Sequence, residues 1–166
     1  MKLYELFSEI IDYPNPNLSK RLSECISLLS PLNEEGAALL KEFQGFLEKT
    51  PLGQMEEIYA RTFDLQAICY PYVGYYLFGE DHWRSLFMAG LKEHYNFFDF
   101  SAGQELPDHL SVMLRFLSQQ NNGEREELIS ECILPALKKM VIGFEGKENP
   151  YTPVLQALFL ILRESE

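Results

Sequence analysis

Apolar residues recur on a helical period along most of this chain. Leu3, Leu6, Phe7, Ile10 and Ile11 keep the i, i+3, i+4, i+7, i+8 spacing that lays one apolar stripe along a helix. Tyr13-Pro14-Asn15-Pro16 ends that helix, because proline has no amide donor and restricts the residue before it. Asn17 is placed to cap a second helix with Leu18, Leu22, Cys25, Ile26 and Leu29 inward, closed by Pro31. A third begins near Asn33, carries Ala37, Leu40, Phe43 and Leu47, and stops at Pro51. A fourth holds Met55, Ile58, Tyr59, Thr62 and Phe63.

The pattern is less regular after that. Asp64 to Phe78 has the Tyr and Val content of a strand, but no other segment offers a partner strand. It reads as helical with a break near Pro71. Asp81 is a candidate cap for a helix running to Tyr95, with Trp83, Phe87, Gly90, Leu91 and Tyr95 on its inner face. Asn96 to Leu106 is a Phe-rich loop, and Pro107 suits the first turn of a helix carrying Leu110, Met113, Leu114 and Leu117. Asn121-Asn122-Gly123 is a turn, and Glu124 to Phe144 a helix kinked by Pro135. Thr152 as cap and Pro153 as first residue start a last helix with Val154, Leu155, Leu158, Ile161 and Leu162 inward. The expectation is an all-α, single-domain bundle of about eight helices over residues 1–166. There is no internal repeat or low-complexity segment, and the polar stretch Gly143 to Asn149 is too short to divide two domains.

Charge and composition narrow the partners. The net charge is -11, from 25 acidic and 14 basic residues. Such a field repels nucleic acid, attracts a basic partner and keeps a chain in solution. Apolar residues make up 46% of the chain, which excludes wholesale disorder. Cys25, Cys69 and Cys132 are isolated and form no Cys-x-x-Cys, so neither a disulfide framework nor a thiolate metal site is expected. They read as small core residues in a reducing compartment. No signal peptide is visible, and the apolar run Ala157 to Leu162 is too short to span a bilayer. These features lead to an expectation of a cytoplasmic protein with no stable membrane insertion.

Catalytic chemistry finds no foothold. No two of His82, His94 and His109 share a His-x-x-x-His spacing, and Glu80, Asp81 and His82 are consecutive and so diverge on a helix. There is no phosphate loop and no Gly-x-Ser-x-Gly elbow. The chain is expected to be no enzyme and to hold neither a metal nor a cofactor. Two segments stand out: Tyr59 to Leu65 and Glu105 to Leu110. Physics alone gives them ordinary roles. Tyr59 and Phe63 would be core, Asp64 a terminal turn, and Glu105 and Asp108 would favour the positive end of the next helix.

Those segments, taken in order along the chain, resemble the TorD/NarJ family of redox enzyme maturation chaperones, and within it the NarJ branch of nitrate reductase delta subunits. The run Leu6 to Pro14 resembles that family's first helix and its Tyr-Pro stop. Tyr59 to Leu65 resembles its Tyr-x3-Phe-Asp motif, Gly79 to Tyr95 its Gly-Asp-x-Arg-Gly region, and Glu105 to Leu110 its Glu-Leu-Pro-Asp-His-Leu stretch. Asn149-Pro150-Tyr151 resembles its Ser-Pro-Tyr segment. One departure is Ser85 after Arg84, where the family usually has glycine, in a neighbourhood rich in tyrosine.

The resemblance implies a helical chaperone without turnover. It would bind the basic and apolar N-terminal leader, or leader remnant, of a molybdopterin oxidoreductase catalytic subunit. It would hold that subunit in the cytoplasm during molybdenum cofactor insertion, before export or membrane docking. On that reading Tyr59, Phe63, Tyr72 and Tyr76 line an aromatic groove for the apolar part of the leader. Asp64, Glu105 and Asp108 pair with its Arg or Lys, and His109 either tunes affinity with pH or holds the loop. The competing classes are a non-catalytic scaffold for folded partners and a nucleotide-hydrolysing helical protein. The client and the oligomeric state stay open.

Overall fold

A computed structural model describes residues 1–121 and 123–164. Its helices are α1 (Lys2–Ile11), α2 (Leu18–Leu29), α3 (Glu34–Glu48), α4 (Leu52–Phe63), α5 (Val73–Phe78), α6 (His82–Phe97), α7 (Leu110–Gln119), α8 (Gly123–Leu128), α9 (Leu134–Gly143) and α10 (Thr152–Arg163). A π-helical turn, Ile129–Ile133, joins α8 to α9, so that residues 123–143 form one rod. Counted that way, nine helices and no strand occur among the described residues. The all-α expectation is met.

The amphipathic stripes direct the assembly. α1 buries Leu3, Tyr4, Leu6, Phe7, Ser8, Ile10 and Ile11 and packs along α7 and α2. α2 packs on α3, and α3 on α10, which buries seven of its twelve residues. α10 in turn meets α9, which also holds α5. The buried apolar residues join into one cluster running from Leu3 to Leu162. Each fully buried Leu, Ile or Phe contributes about 1.5–3 kcal/mol relative to exposure.

Several local expectations are corrected. Asn33 does cap α3, its side chain accepting from the Gly36 amide at 2.6 Å. Asn17 does not cap α2. Its backbone is already helical, and its own amide donates to the Asn15 side chain at 2.9 Å. Thr152 is the first residue of α10 rather than its cap, which is Tyr151, and its buried hydroxyl has no partner. Pro107 lies in a turn ahead of α7, and His109 caps that helix instead. Asp81 caps α6 as expected, accepting from the His82 amide. Asn122, in the expected turn before α8, lies outside the described residues.

Pro135 follows a π turn at the start of α9. The Leu134 amide reaches back five residues to the Ile129 carbonyl, and this wider turn accommodates the missing proline donor without breaking the rod. Asp64 to Tyr72 is not helical. It is irregular chain leading to an isolated antiparallel bridge between Tyr72 and His109. The partner that the Tyr- and Val-rich segment lacked is therefore the second motif, Glu105 to Leu110. α6 departs most from its pattern: only Leu91 and Tyr95 are buried, Phe87 is half-buried, and Trp83 is exposed.

Candidate functional site

Two short stretches of extended chain build the polar centre. The Val73 amide donates to the Asp108 carbonyl and the Leu110 amide to the Pro71 carbonyl, both at 2.8 Å. This crossing sets Tyr72 beside His109, with ring centroids 5.3 Å apart and planes nearly perpendicular. The Tyr72 hydroxyl donates to Glu105 at 3.2 Å. The Tyr95 hydroxyl donates to the Pro107 carbonyl at 2.8 Å, tying the loop down onto α6.

Asp108 is completely buried at this crossing. Arg84 Nε donates to its Oδ2 at 2.9 Å and Arg84 Nη2 to its Oδ1 at 3.3 Å. The Gly74 amide adds a third donor at 3.2 Å. A β-carbon at position 74 would stand 2.6 Å from that carboxylate oxygen, so glycine is what lets the α5 backbone approach. The Arg84 guanidinium also lies over the Tyr72 ring, 5.1 Å from its centroid. A buried carboxylate with a bidentate arginine is a satisfied internal pair. Asp108 thus has its charge occupied within the fold.

His109 is buried, and its Nδ1 accepts the Ser111 amide at 3.1 Å, closing the first turn of α7. Burial pulls its pKa below the ordinary 6.5, against the opposite pull of Glu105, Asp12 and Asp108. An accepting Nδ1 belongs to the neutral ring, with the proton on Nε2. The Tyr72 hydroxyl is pushed up to about 12, first by burial and then by Glu105.

The other predicted residues are dispersed around this centre. Tyr59 and Phe63 sit in an aromatic core, 5.0 Å apart and 5.9 and 5.1 Å from Tyr151, with Tyr13 5.4 Å from Tyr59. The Tyr59 hydroxyl is raised by burial and then by Asp12, with Glu105 and Tyr72 adding to it. Tyr59 therefore lies at the inner margin of the same acidic corner. Tyr76 turns elsewhere, its hydroxyl donating to Cys69 Sγ at 3.4 Å. Asp64 is an exposed C-cap of α4, with its amide on the Ala60 carbonyl. The structure brings Tyr72, Glu105, Asp108 and His109 together, with Tyr59 at their edge. The four aromatics do not line one groove.

Sequence reasoning missed three members: Arg84, Gly74 and Asp12. Arg84 and Gly74 had no legible role, because their partner is 24 and 34 residues away. Asp12 falls inside the Leu6 to Pro14 run and carried no role of its own there. Exposed carboxylates at this corner are Asp12 and Glu105. Among the described residues no group of His, Cys, Asp and Glu could hold a metal ion. No helix among them is long and apolar enough to cross a membrane.

The family model for nitrate reductase delta subunits matches residues 30–155. This chain belongs to the nitrate reductase delta subunit family. Its fold is also that of a solved structure from Archaeoglobus fulgidus, a protein assigned to redox enzyme maturation. The two superpose with a TM-score of 0.69 at 24% identity, over 98% of this chain and 94% of the other. Among curated proteins none matches this chain in sequence.

Proposed function

We propose that this protein is a non-catalytic chaperone of the cytoplasm that assists the maturation of a molybdopterin oxidoreductase. It binds the basic and apolar N-terminal segment of the catalytic subunit and keeps that subunit competent for molybdenum cofactor insertion. The observation that carries the reading is the family match across residues 30–155. Charge and geometry support it. A chain of net charge -11 steers a basic segment toward itself. Glu105 presents an exposed carboxylate to the half-buried Tyr72, and Asp12 presents another toward Tyr59 and His109. On this reading Asp108, Arg84 and His109 brace that corner through their internal hydrogen bonds rather than touching the partner, and His109 takes the structural of its two roles.

Affinity capture from native cytoplasm tests the reading. Recovery of one large molybdopterin subunit, abolished by deleting its first residues, is the expected result. Capture unaffected by that deletion favours a scaffold for folded partners. A Glu105→Gln/Asp12→Asn variant is expected to weaken capture while leaving the unfolding transition in place, because both side chains are exposed.

A further inference from the structure

Trp83, Leu86, Gly90 and Phe97 follow one another along α6 at intervals of three, four and seven residues, which sets them in one line on the helix. The line is turned off the core. Trp83 is 56% exposed, Leu86 57% and Phe97 80%, while only Leu91 and Tyr95 of the 16 residues in α6 are buried. Large apolar residues lined up in water mark a face that packs on a partner. Charge narrows the partner. The chain has 25 acidic residues, yet α6 holds only one, Glu93, with Arg84 and Lys92 as its cations. Arg84 is committed to Asp108, which leaves exposed Lys92 and Glu93 to offset each other. The line is therefore locally neutral on a chain of net charge -11. A basic segment finds no row of carboxylates on it, and an anionic bilayer would repel the rest of the molecule. Such a face is where two copies of an acidic chain approach at least electrostatic cost.

We infer that this face of α6 pairs with itself, so that two copies of the chain form an antiparallel, two-fold dimer centred on Gly90. The spacing supplies the symmetry. Trp83 and Phe97 each lie seven residues from Gly90, about 10 Å to either side along the helix axis. A two-fold axis at Gly90 sets Trp83 of one copy opposite Phe97 of the other, once at each end of the contact. Gly90 has no side chain to hold the two helices apart, and nothing of its own chain stands within 4 Å of where a β-carbon would be. The two Glu93 residues fall on opposite sides of the axis, about 9 Å apart along it, so they do not collide. The same patch on both copies makes an isologous contact that closes at two. This pairing does not depend on the chaperone reading.

The area sets the strength. Trp83, Leu86 and Phe97 leave on the order of 400 Å² of apolar surface in water per copy. Doubled by symmetry and extended by a rim, the contact stays below about 1,200 Å², in the class of weak and reversible interfaces. The remaining negative charge of the two copies opposes it, so the dimer tightens as salt screens that repulsion. Docking of a basic segment would respond to salt in the opposite sense.

Sedimentation velocity of the full chain over a concentration series, at low and high salt, tests the pairing. Trp83 emission is recorded on the same samples. Trp83 is the only tryptophan of the chain, so its emission reports on this face alone. The wild type is expected to pass from monomer to dimer in the micromolar range, at lower concentration in high salt, with the emission moving to the blue in step. Leu86→Glu/Phe97→Glu is expected to weaken the dimer about tenfold or more with Tm unchanged, because both side chains are exposed. Leu28→Glu/Leu32→Glu adds the same charge at two exposed leucines near the end of α2 and is expected to dimerise as the wild type does. A wild type that stays monomeric up to about 1 mM overturns the inference. So does a dimer that Leu86→Glu/Phe97→Glu leaves intact, or one that forms without moving the Trp83 emission. Assembly beyond two copies, or a dimer loosened by salt, overturns it as well.

Discussion

Asp108 and His109 are neighbours in the chain with opposite fates for their charges. The Asp108 carboxylate is held between Arg84 and the Gly74 amide, and His109 stays neutral because it caps α7 from a buried position. Asp108→Ala leaves the largely buried guanidinium without its acceptor. It is expected to cost about 3 kcal/mol in urea unfolding, with Arg84→Ala comparable and the double variant well short of additive. For His109 the sign follows from its lowered pKa. The unfolded ring takes up a proton near 6.5 while the folded ring resists it, so stability is lost as pH falls below about 6.5. His109→Asn keeps a capping side chain that does not titrate. The difference in Tm between wild type and variant is expected to grow in the variant's favour from pH 7 to pH 5. A constant difference would remove the titration argument. The sequence showed the acidic and imidazole groups side by side, but the burial of both depended on a crossing with residues more than thirty positions away.

At the scale of elements, caps and stripes were unequally legible. Asn33 and Asn17 look alike in sequence, each an asparagine before an apolar periodic run. Only Asn33 has extended backbone at the cap, because Pro14 and Pro16 force a preceding turn that uses the Asn17 amide elsewhere. Asn33→Ala is expected to cost about 1 kcal/mol and Asn17→Ala close to nothing, read from paired urea midpoints. α6 shows the limit of periodicity. Its apolar residues Trp83, Leu86, Phe87, Leu91 and Tyr95 cover more than one face, so the pattern gives a helix without saying which side meets the core. The core takes the Leu91 and Tyr95 side and leaves Trp83 and Leu86 to solvent. Pro135 was legible as an interruption, but the π turn that precedes it, in a rod packed on α5 and α10, was not.

Across the whole molecule, the first helix matters beyond its share of the family match. The match begins at residue 30, yet α1 buries seven of its ten residues against α7 and α2. The Met1 amino group reaches the Ser118 carbonyl at the far end of that contact. Deleting residues 1–13 strips one wall of the core. It is expected to abolish the cooperative thermal transition and to expose dye-binding apolar surface. Retention of a sharp transition would place α1 outside the folding unit.

The sequence by itself determined the helical class, the positions of most helices and the acidic character. Each of these depends on local spacing, local backbone chemistry or a sum of charges, none of which needs a distant partner. Tertiary structure alone decided which carboxylate is free and which is paired, where Tyr72 finds a strand partner, and which face of α6 is left open. Those outcomes depend on contacts between residues 24 to 37 positions apart, from Arg84 with Asp108 to Tyr72 with His109. A local pattern carries no record of such contacts, because burial and pairing energies are set by whatever the folded chain brings within a few ångströms.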